Sequence, residues 1–115
     1  MGLSATVLFA GDDPAVRQSL AQLLSMSGYR VLTAEDGFEA LRLLTQQEID
    51  VLLTDIVMPG LDGVEVARRA LQQVPGLKVL YASGYTAGFG PVSPLLKKPY
   101  RAHQLAGEIA AVLSQ

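Results

Sequence analysis

The chain has 115 residues, half of them hydrophobic, which suits one compact domain around one core and is too short for two. It has no cysteine, hence no disulfide framework, thiolate metal site or thiol nucleophile, and its apolar runs of a few residues fall far below the roughly 20 needed to cross a bilayer. Nine basic residues against eleven acidic ones, with Arg68-Arg69 and Lys97-Lys98 as the basic pairs, form no cationic stripe. A soluble, cytoplasmic domain without direct nucleic-acid or membrane contact is expected.

In chain order, "ATVLFA" (5–10) reads as a strand. Asp13 can cap a helix that opens on Pro14, carries Val16, Leu20, Leu23 and Leu24 on one face and stops at Gly28. "YRVLTA" (29–34) is a second strand, and 37–47 places Phe38, Leu41 and Leu44 at helical spacing. "DVLLT" (50–54) is a third strand whose unbroken apolar run implies cover on both faces. After Met58-Pro59-Gly60, a loop-shaping turn, Val64, Ala67, Leu71 and Val74 mark a helix that Pro75-Gly76 ends, and "LKVLYA" (77–82) is a fourth strand. The segment 83–94 holds three glycines and two prolines, so a helix there is at best a turn or two. "PLLKKP" (94–99) forms a short fifth strand, and 100–113 a last helix with Leu105, Ile109, Val112 and Leu113 inward. Strands alternating with helices indicate one α/β domain, a parallel sheet covered on both faces through right-handed crossovers.

Ligands in such sheets bind at the carboxyl ends of the strands. Asp12 falls just after the first strand, Asp55 just after the third, Ser83 just after the fourth, and Lys98 follows the fifth. Two carboxylates at one rim repel unless a cation relieves them, and hard oxygen ligands open to water suit Mg²⁺. With an ammonium and a hydroxyl added, the set suits a phosphoryl group: Asp55 attacks, the metal and Lys98 balance charge, and Ser83 hydrogen-bonds a phosphoryl oxygen.

"TDIVMPGLDG", "YASGYT" after the fourth strand and "KKPY" before the last helix carry a family resemblance over essentially the whole chain. The chain resembles the receiver domain of two-component response regulators. That resemblance implies a flavodoxin-like, doubly wound sheet of five parallel strands in the order 2-1-3-4-5. It also implies a single receiver domain over 1–115 that takes a phosphoryl group from the phosphohistidine of a histidine kinase. By the match, Asp55 is the phosphoacceptor, Ser83 the switch hydroxyl and Lys98 the phosphate-contacting lysine, while Asp12, Asp55 and the main-chain carbonyl of Val57 hold Mg²⁺.

Three departures from the family pattern stand out. Aligned on Pro14 and the helix behind it, Gly11 occupies the position of the first acid, which leaves Asp12 as the direct metal ligand and Asp13 as the helix cap. Leu95 occupies the position of the aromatic residue that commonly swings inward on activation. The segment between Ser83 and Lys98 is short, so the fourth helix is reduced or missing. These departures favour a second reading, a receiver-like protein-binding module that works without phosphorylation. A phosphatase or phosphotransferase acting on small molecules would place a second acid two residues after Asp55, where Val57 stands, so no turnover of small molecules is expected. A flavin site would need a phosphate-cradling loop where "AGDDPA" presents carboxylates. The ending "LLKKPYRAHQLAGEIAAVLSQ" resembles receivers attached to hybrid histidine kinases, so a covalently attached kinase domain or a downstream protein is the expected partner. His103, the single histidine, falls on the polar side of the last helix.

Overall fold

The computed structural model describes residues 5–83, 95–97 and 102–114. Over these run β1 (Thr6–Ala10), α1 (Pro14–Met26), β2 (Arg30–Ala34), α2 (Gly37–Gln46), β3 (Val51–Asp55), α3 (Gly63–Gln73), β4 (Lys78–Ser83), β5 (Leu95–Lys97) and α4 (Ala102–Leu113). The reduced or missing helix expected within 84–94, and Lys98, lie outside the described residues. The strands form one sheet in the order β2-β1-β3-β4-β5, with every pairing parallel. This is the flavodoxin-like arrangement, and its winding reverses between β1 and β3.

Both central strands are buried along their whole length because their side chains alternate into two different layers. Val7, Phe9, Val51, Leu53 and Leu80 meet Leu20 and Leu24 of α1 and Leu105, Ile109 and Val112 of α4. On the other face, Leu8, Ala10 and Leu52 meet Ala40 and Leu44 of α2 and Val66 and Ala70 of α3. Each fully buried Leu or Val contributes about 1.5–3 kcal/mol, so these two layers hold the sheet between its helices.

Local signals fix the helix ends. Asp13, Asp36 and Asp62 cap α1, α2 and α3, their carboxylates accepting from main-chain N–H groups of the first turn. Such a cap contributes about 1 kcal/mol. Past α1 the chain turns at Gly28, whose φ of 94° lies in the left-handed region that glycine adopts without strain.

Two helix faces differ from the sequence expectation. Phe38 is 59 % exposed, and α2 buries Gly37, Ala40 and Leu44 instead. In α3 the buried residues are Gly63, Val66, Ala67 and Ala70, while Leu71 is 40 % exposed. The cause is the same in both helices: small residues let them approach closely, and a Cβ added to Gly37 would lie 2.4 Å from Cγ2 of Val66. Among the described residues, no helix is long and apolar enough to cross a membrane.

Candidate functional site

The site is built where β1 and β3 lie side by side. Their last paired residues are Ala10 and Thr54, after which β1 passes into the turn Gly11-Asp12 while β3 runs one residue further, to Asp55. Asp55 is therefore the last residue of its strand rather than the first beyond it. The two-residue period puts Asp55 above Leu53, and Gly11 above Phe9, on the sheet face that carries α1 and α4. A Cβ built on Gly11 would lie 2.9 Å from Oδ2 of Asp55, so the two positions are direct neighbours.

Asp55 is only 7 % exposed. Its main chain is held from two directions: the Thr54 hydroxyl donates to the Asp55 carbonyl at 2.9 Å, and Gly63, the first residue of α3, closes on that same carbonyl. A Cβ on Gly63 would stand 2.0 Å from the Asp55 carbonyl oxygen, so only glycine permits this approach. The Gly63 N–H then donates to the Ile56 carbonyl at 2.7 Å, locking helix to strand end. Between them the loop buries Ile56 and Met58 and turns Val57 outward, 53 % exposed.

In the β1–α1 turn the two aspartates separate by task. Asp13 Oδ1 accepts from the N–H groups of Ala15 at 2.9 Å and Val16 at 3.3 Å, so this carboxylate serves the helix. Asp12 is exposed at the rim. From the first turns of α1, Arg17 reaches back and donates through Nη1 to the Gly11 carbonyl at 2.7 Å, fixing the turn beside Asp55.

Ser83 closes β4, one residue past the pair Asp55–Ala82, and pairs in turn with Lys97 of β5. This puts the backbone of Ser83 at the same rim, as its final strand residue. Lys98 follows the end of β5 and lies outside the described residues. Leu95, at the position of the family's aromatic residue, opens β5 in register with Tyr81. His103 is exposed on α4.

The donors that the sequence reading assigns to a metal, Asp12, Asp55 and the main-chain oxygen of Val57, would supply hard oxygens only, with Asp12 exposed at the rim. That chemistry fits Mg²⁺, which binds through one or two carboxylates and keeps several waters. Among the described residues, no three acidic or histidine side chains converge.

Sequence reasoning assigned no role to Phe9, Thr54, Arg17 or Gly63. The signals for Phe9 and Gly63 existed: the period of β1 carries Phe9 to the position next to Gly11, and "DG" at the start of a helix marks a capping aspartate followed by a residue without a side chain.

Comparison with known proteins gives a consistent picture. The family model described as the response regulator receiver domain matches residues 7–89. The response regulator receiver protein CpdR of Brucella abortus is 37 % identical over 114 residues, which cover 93 % of this chain and 95 % of that protein. Against the response regulator MprA of Mycobacterium tuberculosis, 35 % identical, the chain spans 51 % of the relative's length. Among solved structures, the receiver domain of the hybrid histidine kinase CckA superposes with a TM-score of 0.83 at 36 % identity, covering 95 % of this chain and 99 % of that one. TrrA of Thermotoga maritima, solved in complex with Mg(2+)-BeF, superposes with a TM-score of 0.86 at 27 % identity, over 95 % of this chain and 99 % of that one.

Proposed function

The chain belongs to the response regulator receiver domain family, and from that membership we propose that it is a phosphoacceptor switch of a two-component phosphorelay, with Asp55 as the acceptor. One observation carries the reading: a carboxylate ends a fully buried strand at the point where the sheet's winding reverses, its main chain clamped by Thr54 and Gly63. The phosphoryl donor in this reading is the phosphohistidine of a histidine kinase. An Asp55 carboxylate oxygen attacks phosphorus, the N–P bond breaks, and its electron pair returns to the leaving imidazole. The product is an acyl phosphate on Asp55.

The chain's own task in this step is to hold and neutralise. Asp12, Asp55 and the Val57 carbonyl would hold Mg²⁺, which would supply charge balance to the phosphoryl oxygens. Lys98 pairs with a phosphoryl oxygen, and Ser83 donates its hydroxyl to another. Modification thereby shifts a population between two surfaces. A downstream protein or a covalently attached kinase domain reads the change in the cytoplasm. The similarity to the receiver domain of a hybrid kinase supports the latter partner. No small molecule is turned over.

The test is intact mass after incubation with Mg²⁺ and acetyl phosphate. A single phosphoryl adduct on the parent, absent from Asp55→Asn and abolished by chelating the metal, supports the switch. Gly11 favours the second reading, a binding module independent of phosphorylation, and the absence of any adduct at saturating Mg²⁺ would move the assignment there.

A further inference from the structure

Gly11 stands where the family pattern has an acid, and its surroundings give a physical reason. Val7, Phe9 and Gly11 fall on one face of β1 and its extension. Phe9 is fully buried in the core layer between the sheet, α1 and α4. A Cβ on Gly11 would meet Cζ of Phe9 at 2.7 Å and Cε2 at 2.9 Å, with Oδ2 of Asp55 at 2.9 Å on its other side. The tip of the Phe9 ring and the Asp55 carboxylate thus flank a gap that a side-chain carbon enters only if one of them shifts. Arg17 holds the Gly11 carbonyl at 2.7 Å, so the main chain at this position is itself tied to α1.

We propose that Phe9 sets how many carboxylates the phosphoacceptor site can contain. Its ring takes the room that a side chain at position 11 needs, which favours glycine there and leaves Mg²⁺ two carboxylates in place of three. Affinity for a divalent ion follows the number of charged ligands, so the pair Phe9–Gly11 holds Mg²⁺ affinity down. Phe9 touches neither metal nor phosphoryl group in this scheme; it is a positioning residue that acts through position 11. The inference rests on the reading of Asp12 and Asp55 as metal-binding carboxylates.

The test is a double-mutant cycle with two readouts. Thermal melting without metal measures the steric coupling, using Gly11→Ala because it adds only the Cβ and no charge. Phe9→Val is expected to lower Tm in the parent and to lower it less in the Gly11→Ala background, so that Gly11→Ala costs less Tm where the ring is gone. Mg²⁺ titration by calorimetry measures the functional consequence. Phe9→Val/Gly11→Asp is expected to bind Mg²⁺ about tenfold tighter than the parent, in the range that metal-site changes produce. Phe9→Val alone and the uncharged control Phe9→Val/Gly11→Asn are expected to match the parent. Equal Tm losses from Phe9→Val in both backgrounds would overturn the steric coupling. Gly11→Asp binding as tightly without Phe9→Val as with it would overturn the role of the ring. Steric coupling with no Mg²⁺ binding by any variant would overturn the metal role of Asp12 and Asp55, and the inference with it.

Discussion

The main chain of Asp55 is held from two sides. The Thr54 hydroxyl and the close approach of Gly63 fix the carbonyl, and the apolar strand behind it fixes the direction of the carboxylate. Gly63→Ala would place a methyl group 2.0 Å from the Asp55 carbonyl oxygen. Overpacking of this kind costs about 1–3 kcal/mol, so a lower urea midpoint and a slower phosphorylation of Asp55 are expected together. At the opposite end of the sheet, Asp50 Oδ2 accepts from the Thr6 N–H at 2.8 Å, while the Asp50 main chain bonds Thr6 and Lys78. Asp50→Ala leaves that N–H without its acceptor, at a cost of about 1–3 kcal/mol in denaturant unfolding, with the extent of phosphorylation unchanged. At this scale the sequence was legible where a residue's role follows from the segment it ends. Asp55 closes an apolar run, and Asp13 precedes a proline-led helix. It was harder to read where the pattern names a position but not its contact: the period of β1 leads Phe9 toward position 11 and "DG" marks Gly63, yet how closely each meets its neighbour depends on the folded main chain.

Element boundaries were read closely because Asp13, Pro14, Gly28 and Pro75 punctuate the chain, whereas helix faces were misread where small residues pack. In α3 the apolar spacing ran through Leu71, which is exposed, while Gly63, Val66, Ala67 and Ala70 form the buried side, and in α2 Gly37 is buried while Phe38 is exposed. The outer side of α3 carries its own electrostatic device. Glu65 pairs with Arg68 and with Arg69, the latter at 2.7 Å. The hydrogen bond from Arg68, followed by that from Arg69, lowers the Glu65 pKa from 4.5 to about 2. A carboxylate with a depressed folded pKa contributes stability that is fully present above its unfolded pKa and is lost as pH falls through the folded one. The Tm difference between the parent and Glu65→Gln is therefore expected to be constant above about pH 5 and to close between pH 4.5 and about 2. Added salt shrinks that difference, because the pair is partly solvated.

At the scale of the whole molecule, strand order decides what meets at the rim. Placing β1 between β2 and β3 brings the turn after β1 against the end of β3, and placing β4 beside β3 brings Ser83 to the same edge. Four residues far apart in sequence were read as one site on this basis. The sheet carries Asp12, Asp55 and the backbone of Ser83 to that rim, while Lys98 lies outside the described residues. The two core layers on either side of the sheet give the rim a rigid base, so that modification at Asp55 can be transmitted through the segments that leave the strands. The central claim is that the phosphoryl group arrives on Asp55. It is tested most directly by reducing the phosphorylated protein with borohydride, which converts an aspartyl phosphate to homoserine, and locating the converted residue by peptide mass spectrometry. Homoserine at position 55 and at no other aspartate is the expected result; conversion at Asp12 or Asp13, or a phosphoryl adduct that survives borohydride, would contradict it.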